Sequence, residues 1–131
     1  MAEPVTIQAS NGKTNYITSI KAKEFTIPLD EPISIGGSGT APAPFDYLYS
    51  ALAGCVAVTL RMYVERKGWN VGQIYVNVTP SKNESGETVL IKKLAFEHEI
   101  SVDQEKRLLV IADKCPVSKL LHNGVAMRTE L

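Results

Sequence analysis

The longest regular pattern of apolar residues lies between residues 45 and 67. Apolar side chains recur there at helical spacing, at positions 45, 48, 49, 52, 56, 59 and 63 with few exceptions. No proline interrupts the segment, and residues 51–58 carry no polar side chain on any face. Because a helix that is apolar all round must be buried, this pattern predicts a long core helix. Asp46 in its first turn suits the helix dipole, and Gly68 is the predicted C-cap.

Short alternating segments precede this helix. Residues 5–7 and 15–20 are predicted to be strands joined by a hairpin turn at 11–12, and residues 25–27 open a third strand. Residues 36–44 are rich in glycine and proline, which predicts a loop leading into the helix.

Strands also follow the helix. Residues 73–79 alternate with apolar side chains on one face, and residues 89–100 form a second, longer run after a turn at 85–86. The C-terminal residues 125–131 are predicted to be a last strand.

A pair of helices lies between these strands. Asp103 is the predicted N-cap of a helix that runs to Lys114, and Cys115-Pro116 starts a second one, since proline is favoured at the first helical position. Asn123-Gly124 ends it. Strands, long helix, two strands, helix pair and strand predict an α+β protein.

Composition narrows the function. The chain has 131 residues, which predicts one domain over 1–131, and 14 Lys and Arg balance 14 Asp and Glu. This balance argues against nucleic acid as a partner. No run reaches the roughly 20 apolar residues of a membrane span, and the N-terminus is not that of a signal peptide. We therefore expect a cytoplasmic protein without a membrane partner, and a chain with so apolar a helix is expected to pair with a second copy.

The two cysteines carry the candidate chemistry. Cys55 lies in the middle of the predicted core helix, where it is either a small buried hydrophobe or a thiol activated by a nearby cation or donor. Cys115 is the predicted N-cap of the last helix, where the positive end of the dipole lowers a thiol pKa. Its alternative is a cap without chemistry. No Cys-x-x-Cys or His-x₃-His spacing points to a metal site.

Two motifs carry a family resemblance. The segment 44–55, Pro-Phe-Asp-Tyr-Leu-Tyr-Ser-Ala-Leu-Ala-Gly-Cys, and the segment 115–118, Cys-Pro-Val-Ser, resemble the two cysteine motifs of the OsmC/Ohr family (osmotically inducible protein C and organic hydroperoxide resistance protein). The order of strands and helices is similar over nearly the whole chain.

The resemblance implies an OsmC-like fold, with antiparallel sheets around a long buried central helix, in an intertwined homodimer. It also implies a peroxidase for organic hydroperoxides, in which Cys55 becomes a sulfenic acid and Cys115 resolves it to a disulfide. No bound cofactor is expected; an external dithiol or thiol reductant, such as a lipoylated protein, reopens the disulfide.

The chain departs from the family at the groups that activate the first cysteine. Those are an arginine of the N-terminal strands and a glutamate ten residues before the cysteine, whereas here the acid nearest to that place is Asp46 and the nearest basic residue is Lys13. Both are therefore candidate catalytic residues. The alternative function is a non-catalytic or weakly active protein of the same fold that binds a lipid or another small molecule.

Overall fold

A computed structural model describes residues 4–131, and the chain divides into two compact units, one ending at Leu48 and one running from Tyr49 to Leu131. The elements in chain order are β1 (Gln8–Asn11), β2 (Thr18–Ala22), β3 (Phe25–Leu29), a 3₁₀ turn (Ile33–Ile35), α1 (Pro44–Lys67), β4 (Ile74–Lys82), β5 (Thr88–Phe96), α2 (Val102–Ala112) and α3 (Pro116–Asn123). They form two antiparallel sheets and one long helix, which confirms the α+β class. The single domain over 1–131 stays a prediction. The prediction that the N-terminus is not a signal peptide rests partly on residues 1–3, which lie outside the described part.

The first unit contains a three-stranded sheet with β2 in its centre. The predicted strand at 5–7 is wrong, because β1 begins only at Gln8. The predicted tight turn at 11–12 is also wrong. The Asn11 side chain donates to Ile17 O at 3.2 Å and to Thr18 Oγ1 at 2.9 Å, and these bonds close a wider loop before β2. Strand β3 is an edge strand, the place where a sheet tolerates Pro28.

The loop that precedes α1 is ordered around a buried carboxylate. Asp30 is fully buried and accepts hydrogen bonds from the backbone N–H groups of Glu31, Ser38 and Thr40 and from the Thr40 hydroxyl, the last at 2.8 Å. These donors offset the cost of burying the charge. A loop was predicted for most of this stretch, but the glycine and proline pattern gives no indication of its central acid.

Helix α1 spans Pro44–Lys67 and ends at Gly68, whose φ of 71° is in the left-handed region, as predicted for a C-cap. It is the only helix of the described part that is long and apolar enough to cross a membrane, with a mean hydropathy of 1.3. One of its faces forms the core of the second unit through Leu52, Val56, Leu60, Tyr63 and Val64. We therefore interpret it as a core helix. It is not buried on every face, however: Val58 is 54% exposed in the single chain.

The second unit packs this face of α1 against a hairpin and two helices. Strands β4 and β5 pair from Ile74↔Phe96 to Lys82↔Thr88. The inward face of β4 carries the alternating apolar residues predicted from the sequence, and α2 adds the fully buried Leu108. The hairpin contacts the end of α2 and the start of α3 through Lys92, which donates to Asp113 and to Ser118.

Two predictions for the C-terminal part need correction. The N-cap of α2 is Ser101 rather than Asp103, because Ser101 and Gln104 form a reciprocal capping box with bonds of 2.9 and 3.1 Å. Residues 125–131 are exposed and are not a strand: among the described residues they have no strand partner, and a strand needs a ladder of backbone hydrogen bonds.

Candidate functional site

The second unit brings the two cysteines together. Cys55 lies in the apolar middle of α1 and is half-buried. Cys115 directly precedes α3 and is 0% exposed. Both are free thiols, and their side chains are within hydrogen-bonding reach of each other. Chain segments that are far apart in sequence therefore form one dithiol site.

The first turn of α3 supplies donors to both sulfurs. Cys115 is the N-cap, as predicted, with Pro116 in the first turn. The backbone N–H of Ser118 donates to Cys115 Sγ at 3.2 Å, and Ser118 Oγ shares a second hydrogen bond with that sulfur at 3.1 Å. The backbone N–H of Val117 donates to Cys55. These N–H groups have no partner within the helix, so they are available to the thiols.

A lysine of the hairpin extends this set of hydrogen bonds. Lys92 on β5 donates to Ser118 Oγ at 3.1 Å and to Asp113 Oδ1 at 2.8 Å. Because an ammonium group only donates, Lys92 occupies one acceptor position of the Ser118 oxygen, and the S–H of Cys115 donates to the same oxygen. When Cys115 is a thiolate, the Ser118 hydroxyl donates to the sulfur instead, which lowers the pKa of that thiol.

The pKa of Cys115 is lowered. Burial alone raises it, but the two hydrogen bonds from Ser118, the hydrogen bond from Cys55 and the charge of Lys92 together outweigh burial. The hydrogen bonds and the charge of Lys92 favour the thiolate over the thiol, whereas burial favours the thiol. Cys115 is thus the more acidic thiol of the pair.

The pKa of Cys55 is raised. Burial is the main cause, and the neighbouring Cys115 adds to it, since two thiolates side by side repel each other. The N–H of Val117 and the side chain of Thr59 act in the opposite direction but are weaker. In the resting pair, Cys55 is the thiol that donates and Cys115 the sulfur that accepts.

The other two predicted site residues both lie in the first unit. Asp46 Oδ2 accepts a hydrogen bond from the backbone N–H of Ala43 at 2.9 Å, so the carboxylate holds the start of α1. Lys13 is exposed in the loop between β1 and β2. The structure gives Asp46 a capping contact, and the catalytic roles of Asp46 and Lys13 stay predictions.

Sequence reasoning missed the groups that act on the thiols. The lysines closest to Cys115 in the sequence are Lys114 and Lys119, whereas the charge that lowers the pKa of its thiol belongs to Lys92, on a distant strand. Ser118 was visible within the second motif, three residues after the cap, which is the spacing of an N-cap bond. Thr59 stands one helical turn after Cys55.

A cleft of about 370 Å³ lies beside Ser118. Its lining includes Lys92, Asp113, Lys119 and His122. In the described part of the chain, no three or more His, Cys, Asp and Glu side chains are grouped as a metal would require. The chemistry that this site offers is that of two thiols with opposite pKa shifts.

The fold and the site thus define an α+β protein with two free thiols near each other. The family model described as "OsmC-like protein" matches residues 37–130, most of the chain, so this protein belongs to the OsmC family. The resemblance found in the two cysteine motifs is thereby confirmed. No curated protein matches the chain.

Solved structures share the fold at low sequence identity. A protein from Psychrobacter arcticus, described with osmotic stress induction and detoxification response, has a TM-score of 0.74 at 20% identity, over 91% of this chain and 89% of the other. An OsmC-like protein from Mycoplasma pneumoniae has a TM-score of 0.70 at 20% identity, over 93% and 89%. The organic hydroperoxide resistance protein OsmC from Legionella pneumophila has 0.64 at 17% identity, over 92% and 90%. These likenesses confirm the OsmC-like fold.

Proposed function

We propose that this protein is a thiol-dependent peroxidase that reduces organic hydroperoxides. The observation that carries the proposal is the contact between the free thiols of Cys55 and Cys115, with a raised pKa for the first and a lowered pKa for the second. A thiol that is oxidised to a sulfenic acid needs a second thiol in contact to close a disulfide, and this pair provides both. The family supports the substrate class, because it includes organic hydroperoxide resistance proteins.

The different exposure of the two thiols supports the roles that we propose for them. Cys115 is fully buried, so a bulky peroxide does not reach it, whereas Cys55 is partly exposed. In the single chain, the exposed Gly54 beside Cys55 has no atom within 4 Å of the place where a Cβ would be. Cys55 is therefore proposed to attack the peroxide and Cys115 to resolve the sulfenic acid.

The remaining parts of the proposal come from the family resemblance. The reductant is an external dithiol or thiol, such as a lipoylated protein, without a bound cofactor, and the protein acts as a homodimer in the cytoplasm. The exposed apolar face of α1 around Val58 and Met62 supports a second copy as partner. Lys13 and Asp46 stay predicted contributors to catalysis.

Peroxide consumption tests the proposal. The purified protein is given cumene hydroperoxide with dihydrolipoamide as the reductant, next to Cys55→Ser and Cys115→Ser. We expect turnover by the unchanged protein, none by Cys55→Ser, and by Cys115→Ser a single oxidation without intramolecular disulfide. Equal consumption by the unchanged protein and Cys55→Ser would reject the peroxidase. Retained binding of a fatty acid by both would then favour the small-molecule-binding alternative.

A further inference from the structure

The groups that activate the first cysteine in the family resemblance have no clear counterparts here, yet a half-buried thiol without an activating partner is a poor nucleophile. The second unit contains a different arrangement. Lys92 Nζ, Ser118 Oγ and Cys115 Sγ follow one another at 3.1 Å each, and Cys55 contacts the last of them.

We propose that Cys115, whose sulfur lies beside the Ser118 N–H and hydroxyl, is the general base that deprotonates Cys55 during attack on the peroxide. The inference rests on the proposed peroxidase and adds a catalytic step to it: Cys115 acts before the disulfide forms as well as when it forms. Ser118 and Lys92 act through Cys115 and are positioning residues.

The groups around Cys115 support this step. The backbone N–H of Ser118 donates to Cys115 Sγ, Ser118 Oγ lies 3.1 Å from that sulfur, and Lys92 donates to the same oxygen. In the thiolate form of Cys115, the Ser118 hydroxyl is therefore placed to donate to the sulfur. A buried thiolate is tolerated only when such donors surround it. Once the proton has moved, the new thiolate of Cys55 accepts from the N–H of Val117 and from Thr59. Each of the two charge positions therefore has its own donors.

The proton balance is closed. The sulfur of Cys55 attacks the terminal peroxide oxygen while its proton passes to Cys115 Sγ; an S–O bond forms, the O–O bond breaks, and an alkoxide leaves with the electron pair. The alkoxide takes the proton back from Cys115 and becomes the alcohol. Cys55 is oxidised by two electrons to the sulfenic acid, and the peroxide is reduced by two.

The second step follows from the state that the first one leaves. Cys115 is again a thiolate, in contact with the sulfenic acid of Cys55. Its sulfur attacks the Cys55 sulfur, an S–S bond forms while the S–O bond breaks, and the hydroxide that leaves becomes water by taking one proton from the buffered solvent. The external dithiol of the proposed function later reduces the disulfide.

The test separates the first step from the second. Sulfenic acid formation at Cys55 is followed in a single turnover with cumene hydroperoxide and a sulfenic-acid trap. If Cys115 only resolves, Cys115→Ser oxidises at the rate of the unchanged protein. We expect instead a rate lower by about 10²-fold, the ordinary contribution of a general base.

Variants that keep both cysteines test the positioning residues. Ser118→Ala and Lys92→Met are expected to slow the first step by about tenfold, since each removes a hydrogen bond that stabilises a charge. They should also move the rise of the rate with pH to higher pH, and Lys92→Arg should restore much of the rate. Lys93→Met, on the exposed face of the same strand, is the matched control. The other charged groups around the cleft are Asp113, Lys119 and His122.

The outcomes are distinguishable. If thiols of the unchanged protein survive peroxide, the proposed function itself fails. If the unchanged protein and Cys115→Ser form the sulfenic acid equally fast, the peroxidase stands and Cys115 is not the base. A slow Cys115→Ser with Ser118→Ala and Lys92→Met at the normal rate and pH profile would overturn the role of the two positioning residues.

Discussion

The hydroxyl oxygen of Ser118 lies 3.1 Å from the sulfur of Cys115, and the backbone N–H of the same serine donates to that sulfur at 3.2 Å. Within the second cysteine motif, Ser118 thus forms two hydrogen bonds with Cys115. The Ser118 hydroxyl oxygen also accepts a hydrogen bond from Lys92. Hydrogen bonds therefore link β5, through Lys92, to the start of α3 and its thiol, Cys115. These hydrogen bonds lower the pKa of Cys115, whereas burial raises the pKa of Cys55.

The two thiols should ionise at clearly separate pH values. Because the pKa of Cys115 is lowered and that of Cys55 is raised, a titration of thiolate absorbance should show one step below and one above the ordinary value of 9.0. The lower step should disappear in Cys115→Ser and move upward in Ser118→Ala. Two overlapping steps near 9.0 would contradict the asymmetry.

The same shift predicts how stability depends on pH. A thiol whose folded pKa lies below its unfolded value contributes stability that is fully present above the unfolded value and is lost as the pH falls through the folded one. Cys115 should therefore contribute more at mildly alkaline than at acidic pH. Denaturant unfolding of the unchanged protein and Cys115→Ser should give a difference that shrinks as the pH falls.

Asp46 offers a test of capping against catalysis. Asp46→Asn keeps an oxygen that can accept from the Ala43 N–H, while Asp46→Ala removes it. We expect Asp46→Ala to lose about 1 kcal/mol of unfolding free energy, a typical loss for a cap contact, and Asp46→Asn to lose less. If capping is the whole role of Asp46, peroxide turnover by Asp46→Asn stays unchanged. A fall in kcat/KM of that folded variant would show that the charge serves the thiols.

Much of this fold follows from the sequence, and the exceptions have physical causes. The apolar period of α1, the alternation of β4 and the Cys115-Pro116 helix start are local patterns, and each predicts its element. The strand at 125–131 was wrong because alternation alone does not supply a partner strand. The role of Lys92 could not be predicted from the sequence. The pairing of β5 with β4 and the packing of α3 bring Lys92 to Ser118, and the local spacing of residues predicts neither.

Gly54 tests whether the surface beside Cys55 must stay open. A helix interior gains about 0.5–1 kcal/mol from Gly→Ala where nothing clashes, and nothing lies within 4 Å of a Cβ there. Gly54→Ala should therefore be more stable in thermal unfolding but show a higher KM for cumene hydroperoxide, since the added methyl narrows the approach. Gly86→Ala is the control: its φ of 82° makes the same change destabilising, without effect on KM. A destabilised Gly54→Ala would mean that a second chain fills the space.

Asp30 predicts an acid limit to the stability of the first unit. Its pKa lies below the ordinary 3.8, chiefly through the hydrogen bond from the Thr40 N–H against the opposing effect of burial. Its carboxylate thus contributes stability above pH 3.8 that is lost as the pH falls through the folded pKa. Asp30→Asn should unfold at lower temperature at neutral pH and approach the unchanged protein in acid. The exposed Glu24→Gln should match the unchanged protein throughout.

The most direct measurement is the fate of the two thiols after a single exposure to peroxide. Reduced protein receives a stoichiometric amount of cumene hydroperoxide, and free thiols are counted before peptide mapping by mass. The account predicts loss of both thiols, with Cys55 joined to Cys115 within one chain, and in Cys115→Ser a trappable sulfenic acid on Cys55. Survival of both thiols, or first oxidation at Cys115 with Cys55 untouched, would contradict it.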